Sequence, residues 1–297
     1  MKKTVVFIAL LSIVVSVSAQ TMNVQTAYSD MKNERYASAK ENIDAACLNE
    51  KTKDDAKTWN YAGLIYAQIV DASQSTDKSK QKLFKKQKID TPVEQLCRQG
   101  IEALKKSLEI EQKNGTHEYM SSSLDAMKLL CSYQYIFAAT VYNKQDYTNA
   151  IPLLEEVAKN AQIAGHNDAL MDSKYYEAES YRLLKQEDKA LDLYRELAKL
   201  NTTTHPDAYL RVYNANKAAN DTVKALNVLK RGVKNTVKDT ATNISLKSTL
   251  ASAYFWANQP QEGEKIAEEM MTTGQNDIKV LNSVANIYVD AGNAEKA

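Results

Sequence analysis

Three histidines and three cysteines are the residues of this chain with the widest chemical reach. His117, His166 and His205 lie far apart, each near an expected turn between helices, and none pairs with another at the one-turn spacing of a zinc motif or joins a Cys. They read as surface or capping residues. Cys47 and Cys97 fall at different heights on expected second helices of hairpins, and Cys131 opens an expected first helix. Those positions are too far apart for a bridge, so the thiols read as small buried apolar groups. There is no Gly-rich phosphate loop and no Gly-x-Ser-x-Gly elbow. The sequence therefore offers no catalytic residue, no metal set and no cofactor site, and the expectation is a protein that is not an enzyme.

Charge is the next resource. With Lys2 and Lys3 taken from 38 basic residues, 36 face 37 acidic ones, a net of about −1. Nothing in that balance draws the chain in bulk to nucleic acid or anionic lipid. One local exception is SQSTDKSKQKLFKKQK, where Lys78, Lys80, Lys82, Lys85, Lys86 and Lys88 surround Leu83 and Phe84. It reads as a solvated extension or loop, with docking to an acidic partner or an anionic surface polymer as the alternative. Asp221-Thr222-Val223 and Asp239-Thr240-Ala241 match a short O-glycosylation pattern of exported bacterial proteins. A turn Asp capping the following helix is the simpler role for each.

Residues 1–19 have Lys2 and Lys3, an apolar run from Val5 to Val17 and a small-residue end at Val17-Ser18-Ala19. That succession predicts a cleaved secretory leader, with the mature chain starting at Gln20. The run falls short of the ~20 apolar residues that span a bilayer. No Cys stands at the cleavage site for lipid attachment. The expected location is a bacterial periplasm or the outer-membrane face, without stable membrane insertion.

Scarce Gly and Pro, 8 and 4 residues, and abundant Ala, Leu, Lys and Glu favour helix throughout. A pattern recurs about every 34 to 40 residues: a ring, a small residue, another ring, a polar turn, then Ala, a bulky residue and Ala or Leu. Trp59, Gly63 and Tyr66 open the cleanest unit, followed by Gly100, Leu104, Ser107, Leu108 and Ile110. Tyr135, Ala139 and Tyr142 precede Ala150, Leu154, Val157 and Ala158; Tyr175, Ala178 and Tyr181 precede Ala190, Tyr194, Leu197 and Ala198. Further units carry Tyr209 and Val212 with Ala225, Leu229, Gly232 and Val233, then Leu250, Ala251 and Tyr254 with Gly263, Ala267 and Met270. Leu281, Ala285 and Tyr288 open the last unit, and Tyr36, Ala39, Ile43 and Ala46 close the first. No hairpin of this size buries its apolar stripe alone, so neighbours must stack.

These residues resemble the tetratricopeptide repeat. The resemblance covers about residues 22–297 and implies an all-α fold, a right-handed superhelical solenoid of stacked antiparallel helix pairs. The organisation is then a leader at 1–19 and one repeat domain at 20–297, with about seven units, an insertion at about 71–92 and an incomplete last unit ending Gly292-Asn293-Ala294-Glu295-Lys296-Ala297. Gly63, Ala139, Ala178, Ala251 and Ala285 are the expected close-packing positions.

The resemblance also implies that first helices line a groove, into which the residue after each close-packing position points. Those positions hold Leu64, Thr140, Glu179, Asn214, Ser252 and Asn286; one turn earlier stand Asn60, Ile136, Tyr175, Leu210, Ser248 and Asn282, and one turn later Arg182, Lys217, Phe255 and Trp256. The expected groove site is Asn60, Tyr175, Glu179, Arg182, Asn214, Lys217, Ser248, Ser252, Trp256, Asn282 and Asn286. The Lys/Asn/Arg clamp that relatives use for chaperone C-termini is missing, with Asn60 where its leading Lys belongs. The expected function is an exported scaffold binding a protein or peptide. Alternatives are a glycan-binding repeat, since Tyr175, Tyr181, Phe255 and Trp256 have the rings for sugar stacking, and the recognition arm of a longer enzyme.

Overall fold

The computed structural model describes residues 23–238, 240–274, 277–293 and 295–296. The expected leader and Asp239, Ala294 and Ala297 lie outside them. Every regular element among the described residues is a helix: α1 (23–32), α2 (Tyr36–Leu48), α3 (Ala56–Gln74), α4 (Lys78–Lys86), α5 (Val93–Asn114), α6 (Met120–Asn143), α7 (Tyr147–Ala164), α8 (Asn167–Leu183), α9 (Glu187–Lys199), α10 (Asp207–Ala218), α11 (Thr222–Asn235), α12 (Thr240–Trp256), α13 (Pro260–Gly274) and α14 (Ile278–Asp290). The chain packs as two compact units, the first taking in residues up to Thr140 with Glu156–Leu170, the second Val141–Glu155 with everything from Met171.

The repeat is visible in the turns that close the first helices. Glu34, Gln145, Lys185, Asn220, Asn258 and Gly292 all have positive φ, between 55° and 71°. The residue after each donates its backbone N–H to a carbonyl five positions back: Arg35 to Asp30, Asp146 to Val141, Gln186 to Tyr181, Asp221 to Asn216, Gln259 to Tyr254 and Asn293 to Tyr288. This left-handed stop satisfies carbonyls that the helix end leaves open. Asp221 then caps α11 through the N–H of Lys224 at 3.0 Å, the role expected of it.

The same turns fix the frame of the repeat. Counting seven residues back from each left-handed position reaches Ala27, Ala138, Ala178, Tyr213, Ala251 and Ala285. Ala27, Ala138, Ala178 and Ala251 are fully buried. The expected Ala139 is therefore off by one, and Ala138 fills the close-packing place. In α14 that place is only half-buried, while Val280, Val284, Ile287 and Tyr288 form the core face. One turn before Ala138, Ala178 and Ala251, a polar side chain crosses to the second helix of its own hairpin. Gln134 donates to Glu156 (3.1 Å), Lys174 to Glu196 (2.6 Å) and Lys247 to Glu269 (2.8 Å), each over 22 residues.

In unit 1, α3 and α5 pair closely because both carry Gly at the crossing. A Cβ on Gly63 would sit 2.3 Å from Leu104 Cδ2, and one on Gly100 would meet Leu130 Cδ1 at 2.7 Å. The insertion is shorter at its start than the expected 71–92, since α3 continues to Gln74, and its middle folds as α4. Cys131 lies in mid-helix, because α6 begins at Met120. Cys97 Sγ donates to Leu130 O at 3.2 Å, and all three cysteines are free thiols. In unit 2, Ala178, Tyr194, Leu197, Tyr209, Val212, Leu229 and Leu250 form one core, and Ala251, Ala267, Met270, Val280 and Ile287 a second under α14.

Candidate functional site

The first helices of unit 2 bring most of the expected site together. Glu179 on α8 is buried, 7% exposed, so it does not project toward a ligand as expected. It accepts from Arg182 Nε at 3.0 Å and Nη2 at 2.5 Å and from the Tyr194 hydroxyl, and Arg211 on α10 approaches to 3.9 Å. Burial alone would raise its carboxyl pKa, but the hydrogen bonds of Arg182 and Tyr194 and the two guanidinium charges hold it below the ordinary carboxylate value. Two half-exposed cations thus share one buried anion, leaving excess positive charge facing solvent.

Lys217 on α10 lies 5.8 Å from the Tyr213 ring and 5.5 Å from the Trp256 ring of α12. Trp256 itself packs against the unit 2 core, and Phe255 against the core under α14. Asn214, between Arg211 and Lys217 on the helix, is exposed, as are Asn282 and Asn286 on α14. Ser252 donates to Asp290 at 3.1 Å. Ser248 lines a cleft of about 260 Å³ between α12 and α14 with Ser245, Thr249, Ser283 and Lys279. Its hydroxyls and single cation suit hydrogen bonding more than apolar contact.

Two further expected positions fail. Asn60, in unit 1, is 1% exposed and donates to Ser122 and Ser123 Oγ, both at 2.9 Å. Amides this deep are kept only when hydrogen-bonded, and here α6 supplies the acceptors. Thr140 follows the shifted frame, its hydroxyl turned back to Ile136 O at 2.8 Å.

Several pairings on these faces had no signal in the sequence. His205 stacks on Tyr175 at 4.0 Å and 7°, and its Nε2 lies 2.7 Å from Asp172 Oδ1. Tyr175 is desolvated and faces Glu179 and Asp207, so its hydroxyl is pushed up to about 12. In unit 1, His166 Nε2 lies 3.0 Å from Ser132 Oγ, which itself donates to Lys128 O. A serine hydroxyl engaged in that way is a helix-surface partner, not an activated nucleophile. Both pairs span about one repeat, 33 and 34 residues, which hides them from local motifs. Tyr28 and Tyr61 stack at 4.3 Å with Lys32 and Lys57 over their rings. A largely apolar cavity of about 520 Å³ opens among Leu48, Trp59, Tyr66 and Ala103. Among the described residues no group of three or more His, Cys, Asp or Glu is placed to hold a metal ion.

No known protein family matches the chain, and no curated protein matches it. Solved structures similar to it include the nearly identical TPR-like repeats of a Podosopora anserina kinesin light chain. A single-substitution form shows 17% identity over 55% of this chain and 87% of its own, with a TM-score of 0.41. Another crystal structure of those repeats shows 18% identity over 65% and 89%, with a TM-score of 0.32. The class is an all-α helical-hairpin repeat, and the recurring turns and cross-hairpin bonds carry that assignment.

Proposed function

We propose that this chain is an exported, non-catalytic scaffold that holds a protein or peptide segment against the first helices of unit 2. The observation that carries it is the row Arg182, Arg211, Asn214, Lys217 and Trp256, with buried Glu179 beneath its two arginines and Lys217 set over the Trp256 ring. Packed helices stand about 8–10 Å apart and an extended chain advances about 3.3 Å per residue. Each first helix therefore meets roughly three residues of such a segment. Exposed Asn side chains donate to a peptide carbonyl and accept from its N–H, which gives recognition tolerant of ligand sequence. Sugar stacking has less support, because one face of Tyr175 is covered by His205. The leader-like residues 1–19 support the assignment to the periplasm or outer-membrane face.

A photo-crosslinker at Asn214 tests the reading in cells of the native host. It should capture a polypeptide, whereas the same group at Arg195 on the second helix α9 should not. The same group at Trp256 should also capture it, and combined Arg211→Ala, Asn214→Ala and Lys217→Ala substitutions should abolish that capture. Equal capture from α9, or capture unaffected by the triple variant, places binding elsewhere.

A further inference from the structure

The helix inside the insertion has a surface that the scaffold reading leaves unused. α4 contains no buried residue. It is held by its polar groups: Asp77 caps it through the Ser79 N–H at 2.7 Å, Gln81 donates to Ser75 O at 2.5 Å, and Gln87 ties it to the α1–α2 turn and the start of α2. Gln87 accepts from the Ala37 N–H at 3.1 Å and donates to Glu34 O at 2.7 Å. Lys80 turns the same way, lining a small cavity with Glu34 and Asp71. The opposite side carries Lys78, Lys82 and Lys86, one turn apart, and Lys85 beside them. Leu83 is 36% exposed along the flank of this stripe. No ion pair among the described residues involves any of the four stripe lysines.

We propose that α4 docks the chain on an anionic lipid bilayer. Like charges one turn apart weaken a helix, and here they repeat over three successive turns in a chain whose 38 basic and 37 acidic residues nearly balance. A stripe about 12 Å long on a helix that buries none of its own residues is a convex edge, so its counterpart is flat or concave. Lysine is a mobile point charge without the planar fork that reads individual phosphates or carboxylates. No aromatic ring stands on the outward side to stack bases. A fluid sheet of anionic headgroups satisfies all four charges without fixed geometry. No described helix is long and apolar enough to cross a membrane.

The test is co-sedimentation of the full chain with vesicles of phosphatidylcholine, with and without phosphatidylglycerol. Binding should need phosphatidylglycerol and weaken with added salt. Each lysine near such a surface contributes about a fivefold gain, so Lys82→Gln with Lys86→Gln should lower affinity about 25-fold. Lys82→Arg with Lys86→Arg should retain it, and all variants should keep the parent helical circular dichroism. Equal binding to neutral vesicles, or a double Gln variant that binds like the parent, overturns the proposal. So does loss of binding to an acidic polypeptide or an oligonucleotide with vesicle binding unchanged. Capture by the crosslinker at Asn214 is unaffected by these variants, so failure here is distinct from failure of the scaffold reading.

Discussion

Replacing Glu179 by Gln keeps the shape of a buried side chain and removes its charge. Tyr194, 2% exposed, then loses a charged acceptor for a neutral one, a difference of about 1 kcal/mol. Arg182, 31% exposed, donates twice to one oxygen and adds about another 1 kcal/mol after solvent screening. Arg211, at 3.9 Å and 44% exposed, adds little. The expected loss is about 2 kcal/mol at neutral pH, or a melting point lower by about 4–8 °C for a unit of this size. The folded carboxyl sits below its unfolded value. Its contribution is therefore complete above the ordinary glutamate pKa of about 4.3, and is lost as pH falls through the lower folded value. Urea denaturation of parent and variant across a pH series, followed by circular dichroism, measures the difference while other carboxylates cancel. A gap that is absent at pH 7, or that stays constant into acid, refutes the account of Glu179 as the ionised anchor of this face.

Gly63→Ala should destabilise unit 1 by about 1–3 kcal/mol, because its Cβ would meet Leu104; in a Leu104→Ala background the same change should cost much less, and equal costs in the two backgrounds would show the clash is not the cause. Lys185→Gly, at a φ of 60°, should stabilise unit 2 by up to about 1 kcal/mol, whereas Lys185→Ala should not, as chemical denaturation can show. Burial pushes the thiols of Cys47, Cys97 and Cys131 up to about 12; Cys47 is only half-buried, so at most that one thiol should react with a disulfide reagent at pH 8 before the chain is denatured, and a fast native titre above one would contradict this.

The helical class and most core positions are legible in the sequence because ring, small residue and ring recur at helical spacing: Gly63, Ala178 and Ala251 stand where expected, and Tyr36, Ala39, Ile43 and Ala46 form the buried face of α2. The frame near Tyr135 is not, because Ala138 and Ala139 are adjacent and equally small; only the left-handed turn at Gln145 decides between them. That turn leaves little sequence trace, since Glu, Gln and Lys occupy it as well as Asn and Gly. Asn60 looks like a groove residue because periodicity places it on a face without revealing that Ser122 and Ser123 cover it. The Asp172 and His205 pair, and Arg211 on Glu179, depend on neighbouring hairpins meeting, which no local pattern encodes.

The insertion also changes the order in which the chain can assemble. In unit 2, bonds between side chains on different helices join residues 15 to 38 apart. In unit 1, the bonds from α3 to α5 and α6 span 51 to 63 residues, because α4 and its flanks intervene. Doubling a loop adds only about 0.6 kcal/mol of closure entropy, so the native state scarcely registers the detour. Folding speed depends more directly on such separations. On refolding, the hairpins of unit 2 therefore have the shorter search, and closure of α3 on α5 across Gly63 and Gly100 is expected to be the slower step.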